Sequence, residues 1–228
     1  MEAALDRGAR LERAFLGPRA AIAFPTLCAG LARAGVPILS MKEGVLEKVG
    51  STRTPQPVLA VAARPAADRS ALGRDGLVVV ALAISDPGNL GTLVRSAEAS
   101  GAAAILLGPG SVDTYNPKVV RASAGAIFGI PVVDAESERW TAVEALDALG
   151  VLGRQRLGAT ASRGVPHTEV DFSRPTAIVL GNEAHGIDAA IDARLDGHVQ
   201  IEMAGPAESL NVAMAGTILC FESARQRR

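Results

Sequence analysis

Aromatic residues are scarce: one Trp, one Tyr and five Phe in 228 residues. Any core must therefore be assembled from Ala, Val, Leu and Ile. Cysteine is scarcer still. Cys28 and Cys220 lie far apart, with no CxxC or Cys/His spacing, which argues against a disulfide framework or structural zinc and for two apolar thiols. The three histidines, His167, His185 and His198, also lack metal-ligand spacing. Apolar runs are short: Leu77–Ile84 is among the longest, far below the ~20 residues that span a bilayer. Met1–Arg13 is polar and has no run resembling a signal peptide, so a soluble, cytoplasmic protein is the expectation. The net charge of −1 excludes a wholly acidic or basic disordered chain and the overall basicity of many nucleic-acid binders. No GxGxxG follows the first buried strand, and neither GxxxxGK[ST] nor GxSxG occurs. Nicotinamide-cofactor, P-loop and serine-hydrolase readings are thereby weakened.

What is present is asymmetric. Residues 1–75 hold eleven Lys/Arg against seven acids, whereas the rest holds twelve against seventeen. A basic front and an acidic back suggest two modules with different partners. Residues 1–63 read as a small α/β module, with an Ala/Leu-rich helical stretch at Ala20–Ala34 broken by Pro25. Ser51–Pro57 reads as loop, and Arg64–Gly76, with Pro, Gly and alternating charges, as a linker. From Leu77 onward apolar strands alternate with helical segments, predicting a parallel sheet with helices on both faces. Helices are expected over Leu90–Ser100, Glu138–Leu149 and Ser209–Ala224, the first closed by Gly101.

Ligands of open parallel sheets bind beyond the carboxyl ends of the strands. Three strand ends carry unusual residues. Asp86–Arg95 (DPGNLGTLVR) offers two glycines, Asn89, and Arg95 off the buried stripe of its helix. Gly181–Ile187 (GNEAHGI) places an amide, a carboxylate and an imidazole between glycines. Ile201–Asn211 (IEMAGPAESLN) is a Gly/Pro loop into an apolar helix, where Ser209 could serve simply as an N-cap. A surface pair between Arg95 and Glu98 is the plain alternative for Arg95.

Taken together, NLGTLVRSAEASG, IVLGNEAHGI and IEMAGPAESLNVAMAGTILCFE resemble the three ordered motifs of the SpoU-type (SPOUT superfamily, TrmH-like) RNA ribose 2′-O-methyltransferases. YNPKVVRASAGAIFGIPV is similar to the helix between them, and the resemblance covers about residues 77–228. VGSTRTPQPVLAVA resembles part of the small RNA-binding domain often fused in front. It begins close to Met1, so a truncated version is the expectation. Two departures stand out: Glu202 where the family usually has Pro, and Ala184 where it often has Gly.

The resemblance implies an α/β fold whose C-terminal segment forms a deep trefoil knot, with S-adenosylmethionine as cofactor and no metal. It implies cofactor contacts from Gly181, Ile201 and Leu210, with Leu180, Gly186 and Met203 beside them. Asn89, Arg95, Glu183, Ser209 and Asn211 match its active-site positions. It further implies a homodimer through the last helix and structured RNA as substrate, 23S ribosomal RNA ahead of transfer RNA. The competing reading is an RNA-binding or ribosome-assembly protein of the same fold without catalysis, against which those five intact residues argue.

Overall fold

The computed structural model describes residues 1–49, 55–66, 69–182 and 186–228. Most of the expected 51–57 loop, Ala67 and Asp68 of the expected linker, and Glu183, Ala184 and His185 lie outside the described residues. The chain divides into two compact units, Met1–Pro65 and Ala66–Arg228.

The first unit contains α1 (Glu2–Asp6), β1 (Leu11–Leu16), α2 (Ala20–Ala23), α3 (Pro25–Arg33), β2 (Ile38–Ser40), α4 (Val45–Val49) and β3 (Val58–Ala62). Pro25 separates α2 from α3 and takes the first position of α3, where its missing N–H costs nothing. The strand order is β2-β1-β3, with β1 parallel to β2 and antiparallel to β3. Ala14, Leu27, Leu31 and Val36 form its small core.

The second unit opens with a 3-10 turn at Arg69–Gly73, so the expected linker 64–76 is only partly one: Ala71 and Leu72 are buried in the main core. There follow β4 (Leu77–Ala81), α5 (Pro87–Ala99), β5 (Ala104–Leu107), α6 (Pro117–Ala122), β6 (Val132–Asp134), α7 (Ala142–Val151) and β7 (Gln155–Thr160). The remainder is β8 (Val165–Pro166), β9 (Thr176–Leu180), α8 (Ala189–Asp192), β10 (Gly197–Gln200) and α9 (Val212–Gln226). The seven strands are ordered β6-β5-β4-β9-β7-β10-β8, and every pairing is parallel.

Both faces of this sheet are covered. Val79, Ile105, Ile178 and Leu180 pack on one side with Leu90, Leu93 and Val94 of α5 and Leu219 of α9. Val78, Val80, Leu106 and Val179 pack on the other with Leu146 and Leu149 of α7 and Ile191 of α8. That double burial explains why the central strands read as unbroken apolar runs. Among the described residues no helix is long and apolar enough to cross a membrane.

Three helix starts differ from the sequence expectation, each through a cap. α5 begins at Pro87 rather than Leu90, because Asp86 Oδ1 accepts the Asn89 N–H at 2.8 Å and Pro87 fits the first turn. α7 begins at Ala142 rather than Glu138, where Thr141 and Glu144 form a reciprocal capping box. α9 begins at Val212 rather than Ser209. Its cap is Asn211, whose Oδ1 accepts from Ala213 N (2.9 Å) and Met214 N (3.3 Å).

Candidate active site

Three adjacent strands, β9, β7 and β10, end on the same edge of the sheet, and a cavity of about 520 Å³ opens there. Drug-sized ligands occupy cavities of roughly 300–1,000 Å³. Its floor is apolar, made by Leu180 at the end of β9, Val199 of β10 and Leu219 of α9. The wall is formed by Ala159 and Thr160 at the end of β7 with Ala161 beyond it, Gly181 and Asn182 after β9, and Ile201 and Met203 after β10. Ser209, Leu210 and Asn211 close the side that leads into α9.

Local geometry explains the glycines. Asn182 and Gly186 pair antiparallel across the tip of their loop, exchanging N–H···O bonds of 3.1 and 2.8 Å. Gly186 has φ +66°, a conformation that costs glycine little. A Cβ on Gly181 would lie 2.4 Å from the Gly186 carbonyl oxygen, so only glycine fits beneath this tip. The loop is also tied to β4: Asn182 Nδ2 donates to the Ala83 carbonyl at 2.9 Å, and Ala83 itself has φ +51°. Backbone strain of this kind concentrates at functional sites.

All six residues expected to hold the cofactor, Leu180, Gly181, Gly186, Ile201, Met203 and Leu210, line this one cavity. Of the five expected catalytic residues, Ser209 and Asn211 line it as well. Asn89 joins them through α5: its Oδ1 accepts from Asn211 Nδ2 at 2.9 Å. Arg95 is exposed on α5, off the buried stripe of Leu90, Leu93, Val94 and Ala97 as expected, and about 9 Å further along the helix than Asn89. It is outside the cavity lining. Glu183 lies outside the described residues. Glu202, the departure from the family pattern, is exposed, and the cavity takes its neighbours Ile201 and Met203 instead.

Sequence reasoning missed the β7 end. Thr160, Ala161 and Arg163 line the cavity, and Arg163 Nη2 donates to Asp192 Oδ1 at 2.5 Å. His198 Nε2 stands 2.7 Å from the same oxygen. The hydrogen bond from His198, reinforced by the Arg163 charge, holds the Asp192 carboxyl below the usual carboxylate range. The strand-end rule applied to Leu157–Ala161 and its following SRG would have pointed here. Among the described residues, no group of three or more His, Cys, Asp or Glu side chains could hold a metal ion.

An all-parallel sheet with a cavity at its carboxyl edge, lined by apolar and small residues and a few amides, defines an α/β nucleotide- or cofactor-binding protein. The family is more specific: the sequence pattern of the SpoU rRNA Methylase family matches residues 76–221, and the chain belongs to that family. It is 36% identical over 187 residues to the 23S rRNA (guanosine(2553)-2′-O)-methyltransferase RlmP of Bacillus subtilis, covering 82% of this chain and 72% of that protein. It is also 36% identical over 197 residues to the 23S rRNA (uridine(2479)-2′-O)-methyltransferase of Streptomyces viridochromogenes, covering 83% and 67%. Among solved structures, the SpoU methyltransferase AviRb from Streptomyces viridochromogenes in complex with the cofactor AdoMet superposes with a TM-score of 0.79. It is 30% identical and covers 99% of this chain and 87% of that one.

Proposed function

We propose that this chain is an S-adenosylmethionine-dependent methyltransferase that modifies a ribose 2′-hydroxyl in 23S ribosomal RNA. The observation that carries the reading is the convergence of Leu180, Gly181, Gly186, Ile201, Met203 and Leu210 on one cavity, with Asn211 and Asn89 joined at its rim. The fit to the cofactor is physical. A flat base needs an apolar floor, which Leu180, Val199 and Leu219 provide, and close main-chain approach, which Gly181 permits.

When bound, S-adenosylmethionine supplies an electrophilic methyl group and departs as a neutral thioether. The rest falls to the protein. The 2′-hydroxyl must be held in line and share its proton as the new O–C bond forms. Arg95 holds the target phosphate and stabilises negative charge developing on the oxygen. A guanidinium with a pKa above ~12 is a poor base but a good bidentate anion holder. Glu183 shares the proton, while Ser209, Asn211 and Asn89 orient the reacting groups by hydrogen bonding.

The first unit, roughly residues 1–63, serves as the RNA reader, drawing on the positive excess of the front segment. RNA recognition of this kind rests on shape and accessible 2′-hydroxyls. The C-terminal segment follows the knotted threading of the family. The enzyme works as a cytoplasmic homodimer, and the exposed apolar side chains Leu210, Met214 and Phe221 at and along α9 supply the contact.

Methylation of 23S rRNA fragments with labelled cofactor, read by primer extension, tests the reading. Wild-type protein should install a single 2′-O-methyl group. Arg95→Ala should lower the rate by about 100-fold or more with cofactor affinity nearly unchanged, and Arg95→Lys should remain poor. Full activity in the lysine variant would remove the bidentate role.

A further inference from the structure

Among the described residues that line the cavity, Arg163 is the one that carries a formal charge. The apolar floor and the glycine-bearing wall suit a nucleoside. The amino-acid end of S-adenosylmethionine, whose single anionic group is a carboxylate, has no partner among the residues assigned so far. We propose that Arg163 receives that carboxylate and thereby makes the cavity select compounds with an intact amino-acid end over bare nucleosides. This inference rests on the cofactor reading above.

The position of Arg163 is fixed from three sides. Its backbone N–H donates to Thr160 Oγ1 at 3.3 Å, and the same hydroxyl donates to the Arg163 carbonyl. The next residue, Gly164, has φ +120°, and a Cβ there would stand 2.6 Å from the main chain of His198. The loop is therefore seated against β10 at a site that accepts only glycine. The side chain is tethered in turn, with Nη2 bonded to Asp192 Oδ1, which is also bonded to His198 Nε2. One N–H of the five in the guanidinium goes to Asp192, which leaves the planar fork free to meet a second carboxylate bidentately.

Exposure fits the role. The Arg163 side chain is 56% exposed whereas Leu219 and Val199 of the floor are buried. The cavity thus grades from a dry floor to a wet rim, where Arg163 stands with the exposed Ser209, Leu210 and Asn211. A ligand with an apolar base and a charged tail is oriented by such a gradient. Were Arg163 only a surface partner of Asp192, the pair would contribute little to stability or binding.

Isothermal titration of the full chain separates these roles. The probes are S-adenosylhomocysteine, which has the amino-acid end and does not react, and 5′-deoxy-5′-methylthioadenosine, which lacks that end. Arg163→Gln should weaken S-adenosylhomocysteine by about tenfold or more while methylthioadenosine changes by less than about twofold. Arg163→Lys should fall between, because it keeps the charge and loses the fork. An unchanged melting temperature of the variant checks that the loop is intact. Equal weakening of both compounds, or none of either, overturns the proposal. So does a loss confined to RNA binding and its salt dependence, which would make Arg163 a phosphate contact. In each of those cases wild-type binding keeps the cofactor reading. If wild-type protein binds neither compound, the cofactor reading itself falls, and this inference with it.

Discussion

Asn211 does two jobs with one amide. Its Oδ1 caps α9 through Ala213 and Met214, and its Nδ2 donates to Asn89 Oδ1 on α5, 122 residues earlier in the chain. The two helix starts that flank the cavity are thereby held to one another. The same helices are joined further along by Ser96 Oγ and Thr217 Oγ1, 2.7 Å apart.

The two roles of Asn211 separate by substitution. Asn211→Asp keeps a capping oxygen and suits a helix N-terminus, but loses the donor to Asn89. Its stability should stay within about 0.5 kcal/mol of wild type while methyl transfer falls sharply. Asn211→Ala should lose both, with about 1 kcal/mol of stability gone. Urea denaturation beside a methylation assay measures the split.

Gly181→Ala should cost the cavity its shape. The added Cβ meets main chain, the carbonyl of Gly186, which cannot rotate away as a side chain could. A drop of about 1–3 kcal/mol in stability and a clear loss of cofactor affinity are expected. Gly205→Ala is the control, since nothing lies within 4 Å of its Cβ position.

Arg154 should matter for stability and not for the site. Its buried guanidinium donates to the carbonyls of Leu72 and Gly76 at 2.7 Å each, of Thr176 at 3.3 Å, and of Arg74. It thus holds the chain entering β4 to the first residues of β7 and β9, at the sheet edge opposite the cavity. Arg154→Met removes these hydrogen bonds from a buried position and should cost about 3 kcal/mol or more. Cofactor affinity of the folded variant should be unchanged, which calorimetry checks.

Glu222 sets an acid limit. Its hydrogen bonds with Arg225, and then with Gln226, bring the carboxyl down to about 2, below its ordinary value of 4.5. The folded state therefore favours the ionised form. The stabilisation is complete above about pH 4.5 and is lost as pH falls toward about 2. Glu222→Gln should melt below wild type at pH 7, and the difference should close on acidification through that window. A gap that stays constant with pH would show that the carboxylate does not carry the effect.

The layered fold was legible because its causes are local. Residues buried on both sheet faces are apolar almost throughout, so Leu77–Ala81 and Ala177–Leu180 announce themselves, and Gly/Pro punctuation marks where they stop. The cavity residues were legible for a related reason. A parallel sheet puts ligands at its carboxyl edge, and the motifs GNEAHGI and IEMAGPAESLN fall at such ends. Helix starts were less so, because Asp86, Thr141 and Asn211 act by only one or two short-range hydrogen bonds each, and several nearby residues could have served. Strand order was decided only by the tertiary structure. Nothing in the periodicity of β9 says that it lies between β4 and β7, since an apolar run specifies burial and not its neighbours. That order brings the ends of β7, β9 and β10 to one cavity, and sets Asp192 between Arg163 and His198. Such contacts join residues whose chemistry is ordinary in sequence and becomes a site only when long-range packing closes the distance.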